Sequence, residues 1–329
     1  MDDASCVLSL LRKCSVETHE LCGNSVPVLH RPAPLAFLRD HVARSYPCLV
    51  SGVVPAWPAA QRWLSDSYLL DKLGKAELTV AVTPDGRADA VTNGCFAQPA
   101  QETMTLQQLL AQLDAPARGV AYASAQNGSL TSSFAPLAGD VPPELDFATA
   151  AFGVSPDAVN IWLGNSASVT AFHADPYENM YAVLRGEKIF TLLPPGDAYR
   201  LYSRPWPAAR YERRGDGWVL EPEAPARRVV WSPVDPHPTD VAAAAAAYPF
   251  FFDSALPSPM EVTVRAGQVL YLPALWHHHV RQEGDRVIAV NWWHDMSYDS
   301  HFASYQLKLG LAMLASDADC SVLTATHHV

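Results

Sequence analysis

Val169-Thr170-Ala171-Phe172-His173-Ala174-Asp175-Pro176-Tyr177-Glu178-Asn179-Met180-Tyr181 is the stretch on which the reading of this chain turns. His173 and Asp175 stand two residues apart. On a strand such residues project to the same side, about 6–7 Å apart along the backbone, while Ala174 turns away. Two imidazoles and one carboxylate fill one face of an octahedral Fe(II) and leave the opposite face open for a co-substrate and O₂. A bare His-x-Asp arises by chance in many proteins, so its value here lies in what surrounds it.

A β-rich segment follows, Ala182 to Leu193, broken at Arg185-Gly186-Glu187. The Gly-centred break predicts a hairpin turn that returns the chain beside the strand bearing the two donors. Lys188 opens the returning strand. A lysine buried next to a metal site is costly unless it meets an anion, and the carboxylate of an organic acid would suit it. A solvated hairpin lysine paired with Glu187 fits the spacing equally well. Downstream, Val264-Arg265-Ala266-Gly267-Gln268-Val269-Leu270-Tyr271-Leu272-Pro273-Ala274-Leu275-Trp276-His277-His278-His279-Val280 offers the second imidazole. Gly267 gives a turn, Val269 to Leu272 a short apolar strand, Pro273 a break, and a further strand starts near Trp276. On that strand His278 faces opposite to His277 and His279. Parity alone leaves the choice between them open. Trp276 and Val280 argue against a fully solvated histidine tract.

These residues resemble the JmjC group of Fe(II)- and 2-oxoglutarate-dependent oxygenases, specifically the small JmjC-only hydroxylases of cupin-like type, which include (3S)-lysyl hydroxylases also described as bifunctional peptidases. The likeness runs from about Pro32 to Leu309. It rests on Thr170-Ala171-Phe172-His173-Ala174-Asp175, Tyr177-Glu178-Asn179-Met180-Tyr181, Gly186-Glu187-Lys188, Leu270 to Val280 and Ala289-Val290-Asn291-Trp292-Trp293. The resemblance implies a mainly β fold with flanking helices: a double-stranded β-helix, or jelly-roll, core. It implies His173, Asp175 and His278 as the metal and catalytic residues, the Pro273-to-His278 spacing settling the choice. It implies Lys188, Thr170 and Tyr122 as anchors of 2-oxoglutarate, and Tyr181, Asn179 and Asn291 as lining of the same pocket. Fe(II) is the implied cofactor, with 2-oxoglutarate and O₂ as co-substrates. His277 departs from the family, which more often has an aromatic residue there. The implied reaction is (3S)-hydroxylation of a lysyl residue in a translation-associated GTPase. Hydroxylation of another residue type, or methyl-lysine demethylation, is the alternative at the same iron site.

Composition agrees with a globular enzyme. The 329 residues are 49% apolar and 17% charged, and the formal net charge is −11. Such acidity argues against a nucleic-acid backbone as partner and suits a basic substrate such as a lysine-bearing segment. Met1-Asp2-Asp3-Ala4-Ser5-Cys6 opens with acid where a secretory signal carries basic charge, and no apolar run reaches membrane-spanning length. The expectation is a cytoplasmic protein, with the nucleus open. Cys6, Cys14, Cys22, Cys48, Cys95 and Cys320 lack Cys-x-x-Cys pairing and read as reduced thiols.

Three parts are expected: an N-terminal α/β region (1–115) packing on the barrel, the catalytic domain (116–297), and a C-terminal helix and tail (298–329). Residues 1–30 read as a helix and an extended lead-in. Helices are predicted at Pro34–Ser45, Trp57–Leu64, Tyr68–Leu73 and Thr105–Leu113, the last with Thr105 as N-cap. Strands are predicted at Pro47–Val53 and Leu78–Thr83, with a turn at Pro84-Asp85-Gly86. Asp85, Arg87 and Asp89 read either as a substrate groove or as solvated turn residues. The proline-rich insertion 194–258 reads as a loop with one short helix in the alanine run 242–247, shaping the substrate entrance. Phe302, Tyr305, Leu309 and Met313 form a helical stripe that packs on the barrel or builds a homodimer through the terminal helices. Two other classes stay in view. A zinc peptidase would need a motif such as His-Glu-x-x-His, which this chain lacks. A non-catalytic cupin-like binding module would not need the four intact residues His173, Asp175, His278 and Lys188.

Overall fold

The computed structural model describes residues 3–116 and 119–315. The chain starts with a helix, α1 (Asp3–Cys22), and a strand, β1 (Val28–His30). The expected helix from Pro34 forms one α-turn, α2 (Pro34–Phe37), and then widens, so that the Ala43 N–H donates to Leu38 O, five residues back, at 2.8 Å. β2 (Cys48–Ser51), α3 (Ala59–Arg62), α4 (Asp66–Leu73) and β3 (Glu77–Thr83) follow close to expectation. Four short strands were not anticipated: β4 (Arg87–Ala88), β5 (Ala90–Thr92), β6 (Cys95–Gln98) and β7 (Ala100–Thr105). α5 (Leu106–Asp114) carries the expected cap: Thr105 Oγ1 accepts from Gln108 N–H at 3.4 Å, and Gln108 Oε1 accepts from Thr105 N–H at 2.8 Å.

The β-rich half comprises β8 (Val120–Tyr122), α6 (Asp146–Phe152), β9 (Ala158–Gly164), β10 (Val169–His173) and β11 (Tyr177–Leu193). It continues with β12 (Arg204–Arg214), β13 (Gly217–Pro222), β14 (Arg228–Trp231), α7 (Val241–Ala247), β15 (Met260–Arg265), β16 (Gln268–Leu272) and β17 (His277–Asp295). α8 (Ser300–Ala315) closes the described chain.

The hairpin expected at Gly186 is not formed. Residues 177–193 are one strand, and its whole length runs antiparallel to β17, from Tyr177↔Asp295 to Leu193↔His277. A hairpin requires its two arms to pair with each other; here both arms already have β17 as partner. Gly186, at φ 74°, instead makes a bulge with register shifts on either side of Arg185. Gly284, at φ 132°, lies against it: a Cβ built there would be 3.6 Å from Gly186 Cα. Both long strands therefore bend together and belong to two sheets. The first sheet joins β1, β2 and β16 to the start of β11, the end of β17, and β9. The second joins β15 to the end of β11, the start of β17, β10 and β4. This is a double-stranded β-helix.

Tyr181, Val183, Phe190, Leu192, Leu270, Val280 and Ala289 pack between the two sheets. The opposite face of the first sheet, with Met180, Ala182, Tyr271, Val290 and Trp292, is covered by the N-terminal region through Phe37, Trp63 and Leu106. Asp66 of α4 binds Arg185 and Arg286, beside the two bulges, and Asp114 of α5 holds Arg286 Nη2 at 2.6 Å. The N-terminal packing layer thus also clamps the corner.

The insertion corrects a second expectation. Beyond the helix α7, capped by Asp240, it contains three strands, and β12 pairs with β6 from the N-terminal region. Pro205 and Pro207 disguised β12 in the sequence; they pair with the short outer strand β14, where missing donors are tolerated. The α8 stripe packs within the chain, with Phe302 and Tyr305 against Ala274, Leu275 and Met296. Leu311 and Ala312 join α1 around Leu11. Cys6, Cys14, Cys22, Cys48 and Cys95 are free thiols, while Cys320 and the tail lie outside the described residues. No described helix is long and apolar enough to cross a membrane.

The corner yields a stability prediction. A Cβ at Gly186 would stand 2.8 Å from Val287 Cγ2 and 2.9 Å from Arg286 O, whereas one at Gly215, also at positive φ, meets nothing within 4 Å. Gly186→Ala should therefore cost about 2–4 kcal/mol, and Gly215→Ala about 1 kcal/mol, in urea denaturation. Equal losses would remove the corner from its structural role.

Candidate metal centre and adjoining pocket

Three of the expected side chains meet at one point. In the antiparallel pair β10–β17, His173 lies directly opposite His278. Their ring centroids are 4.1 Å apart, and Asp175 Oδ2 stands 3.7 Å from each Nε2. One donor atom from each residue lies within 4.8 Å of the other two. The parity left open in the sequence is settled by this geometry: His278 turns inward, and its neighbours turn out. His277 packs 6.0 Å from the Tyr305 ring and His279 5.6 Å from Phe172. Burial pushes these two imidazoles down to about 4 and about 3, so both are neutral packing groups.

Both inward histidines are oriented alike. His173 Nδ1 bonds Ala171 O at 2.9 Å, and His278 Nδ1 bonds Trp276 O at 3.0 Å. Each carbonyl requires the proton on Nδ1, which leaves the Nε2 lone pairs free and convergent. Burial drives His278 well below its ordinary value, which keeps it in the ligating, neutral form. Burial also pushes the Asp175 carboxyl up, opposed by His173. A divalent cation among the three would favour the charged carboxylate. Two imidazoles, one carboxylate and a half-open surrounding fit a 2-His-1-carboxylate Fe(II) centre.

Beside this cluster lies a group of buried polar side chains within the barrel. Lys188 is 2% exposed, and its Nζ donates to Tyr122 Oη at 2.7 Å. It does not pair with Glu187, which turns to Arg265. Among the described residues no carboxylate approaches Lys188, and burial lowers its ammonium to about 7. Gln282, directly opposite Lys188, is buried with neither amide atom partnered. Gly164 gives Tyr122 its room: a Cβ there would be 2.7 Å from the Tyr122 ring and 3.0 Å from Gln282 Nε2. Thr170 lies opposite Val280, and a register shift between Thr170 and His173 lets both face the same side as His278. Tyr181 hydrogen-bonds Tyr122, which links it to the lysine. Asn291 donates to Asn179 Oδ1 at 3.0 Å and accepts from Trp162 Nε1 at 2.8 Å. His173, Asp175 and His278 thus converge, and Lys188, Tyr122 and Tyr181 form a second linked group on the barrel's inner side.

Sequence reasoning missed three neighbours. Gln282 shares the parity of His278 and was findable by counting along the strand. Trp162 lies on β9, which carried no motif. Trp231 stacks on His173 at 6.0 Å and 10°, but it arrives from the insertion and has no local signal.

Residues 34–300 match the Cupin-like domain family, and the chain belongs to this cupin-like JmjC family of oxygenases, whose members use Fe(II) and 2-oxoglutarate. It is 42% identical over 298 residues to the lysine-specific demethylase JMJ32 of Arabidopsis thaliana, covering 87% of this chain and 86% of that protein. It is 41% identical over 311 residues to the bifunctional peptidase and (3S)-lysyl hydroxylase JMJD7 of Homo sapiens, covering 92% and 94% respectively. JmjC domain-containing protein E of Dictyostelium discoideum is 34% identical over 84% of this chain and 86% of its own length.

The unpaired Lys188 has a measurable consequence. It releases its proton near 7 in the fold against an ordinary 10.5. Between those values the unfolded chain binds more protons, so this group's contribution to stability rises with pH across that window and is least favourable below it. Without co-substrate, Lys188→Met should stabilise the protein by about 1–3 kcal/mol at pH 6, the gain shrinking towards pH 9. A destabilised variant at pH 6 would show that the ammonium has a partner already.

Proposed function

We propose that this protein is an Fe(II)- and 2-oxoglutarate-dependent protein hydroxylase acting on a lysyl side chain at C3. The observation that carries the reading is a buried ammonium with no anion, set beside a convergent His-Asp-His donor cluster. His173, Asp175 and His278 would hold the iron. Bound Fe(II), with 2-oxoglutarate and O₂, supplies the oxidising power for inserting oxygen into a C–H bond, with succinate and CO₂ as co-products. The protein's own part is positioning. Lys188, Thr170 and Tyr122 anchor the distal carboxylate of 2-oxoglutarate through charge-assisted hydrogen bonds. Tyr181, Asn179 and Asn291 line the pocket, and Trp162 locks Asn291 in one orientation. The apolar packing between the sheets keeps water from the inner side of the reacting centre, whose outer side stays open at His173 and Asp175. No side-chain general base is required.

The lysyl choice is supported by the 41% identity to a protein named as a (3S)-lysyl hydroxylase and by the net charge of −11, which suits a basic partner. We place the target in a translation-associated GTPase in the cytoplasm or nucleus, following the family resemblance. The similar identity to a protein named as a lysine-specific demethylase favours methyl-lysine oxidation as the second reading. A homodimer belongs to the same proposal, supported by Leu10, Leu21 and Leu307, which stay exposed on the terminal helices.

Mass spectrometry of lysine-bearing and methyl-lysine-bearing peptides incubated with enzyme, Fe(II), ascorbate and 2-oxoglutarate tests the reaction. Gain of one oxygen on lysine, absent for Asp175→Ala, is the expected result; loss of a methylene unit from methyl-lysine would replace hydroxylation by demethylation. Co-substrate binding to the Mn(II) protein should weaken as pH rises above about 7, because the free ammonium must first regain its proton. The same titration with Lys188→Ala should show co-substrate affinity falling at least tenfold and Mn(II) affinity little changed. A pH-independent affinity in the native protein would remove Lys188 from the anchor.

A further inference from the structure

Three polar residues precede the metal strand, and two are accounted for. Asp85 Oδ1 accepts from Arg87 N–H at 3.1 Å, and Arg87 Nη1 pairs with Asp235 Oδ2 at 2.6 Å. Asp89 is different. Among the described residues its carboxylate enters no ion pair and accepts no hydrogen bond. Burial pushes its carboxyl up, and the opposing charges are His173 first and Arg210 second. Arg210 is committed elsewhere, to Gln98 Oε1 at 2.6 Å and Pro99 O at 3.1 Å.

The backbone explains how Asp89 reaches this place. Ala88 pairs with Thr170 on the metal-bearing sheet, while Ala90 pairs with Ala97 in the sheet shared with the insertion. Asp89 lies between them at φ 51° and carries the chain from one sheet to the other. The same seam brings Trp231 flat against the His173 imidazole. Trp231 Nε1 has no partner, and neither has the indole N–H of Trp293, which stacks on Tyr177 at 4.8 Å. A desolvated carboxylate without a donor is unfavourable until a cation arrives. Trp231 itself is held between His173 and Phe96, whose ring centroid lies 4.8 Å away.

We propose that Asp89 reads the cationic end of the substrate side chain, from the seam that also holds Trp231 against His173. This deepens the reading of the protein as a lysyl-directed oxygenase and rests on it. The recognised class is a peptide bearing an ammonium-tipped side chain, methylated or not. The carboxylate selects charge, and the iron selects the carbon placed beside it.

The test uses two degenerate heptapeptide pools, one with central lysine and one with central norleucine, mixed equally. The immobilised full chain, loaded with Mn(II) and 2-oxoglutarate under nitrogen, is exposed to the mixture, and the retained peptides are counted by mass spectrometry. The native protein should retain lysine over norleucine by tenfold or more. Asp89→Asn, which tolerates the left-handed backbone, should bring that ratio near one, and Asp89→Glu should restore part of it. An Asn variant that keeps the lysine preference overturns the proposal, as does a native protein with none. Co-substrate affinity, measured on the same samples, should be unchanged in both variants. Its absence in the native protein would strike the oxygenase reading, while the retention ratio still judges Asp89 by itself.

Discussion

Two glycines in contact, Gly186 and Gly284, let β11 and β17 bend as a pair, and every element of the site depends on that bend. A straight ladder of this length would be a single sheet with no interior. Bent, it presents two faces to one another, with His278 and Lys188 on the same inner wall and Tyr181 and Asn291 on the adjoining one. Close approach of backbone to backbone is what excludes a Cβ at Gly186. The arginines flanking the bulges are held from outside by Asp66 and Asp114. The N-terminal region is therefore part of the bending device, which explains why a layer without chemistry of its own packs so extensively on the barrel.

That interior is polar where a packed barrel would be apolar. Lys188 and Gln282 are buried, and Asp175 and Asp89 half-buried, with few or no complementary partners among the described residues. Each is a local cost, and the costs have opposite signs of charge. The ammonium and the amide of Gln282 call for an anion. The two carboxylates, one beside paired imidazoles and one at the seam, call for cations. A dicarboxylate co-substrate, a divalent metal and a basic side chain together would satisfy them, and no single ligand would.

Much of the metal centre was legible because it is written in local parity. His173 ends β10 and Asp175 follows two residues on, while alternation set His278 apart from its neighbours without choosing it; the family resemblance made that choice. The N-cap at Thr105 and the alanine helix at 242–247 were legible for similar reasons, each being decided within one turn. Gly186 was misread because a glycine at positive φ serves a hairpin and a bulge equally well. Only the partner strand, a hundred residues away, tells them apart. β12 was hidden by its prolines, and β4 to β6 were too short for periodicity to register. Trp231 could not be found at all, since its neighbour His173 belongs to a different sheet.

The division between legible and illegible parts follows the division of labour. Most of the residues proposed to hold iron and co-substrate lie on the barrel strands, where register fixes them relative to one another; Asp175 follows β10 directly, and Tyr122 reaches in from β8. The residue proposed to face the substrate lies at the seam between the barrel and the insertion sheet, where β6 pairs with β12 and Asp89 crosses from one sheet to the other. Changing the insertion would move Trp231 and the surroundings of Asp89 without altering a single ladder position around His278. On the proposed reading, hydroxylation and demethylation would differ through side chains that the metal-bearing strands do not carry, since those strands fix only the donor cluster.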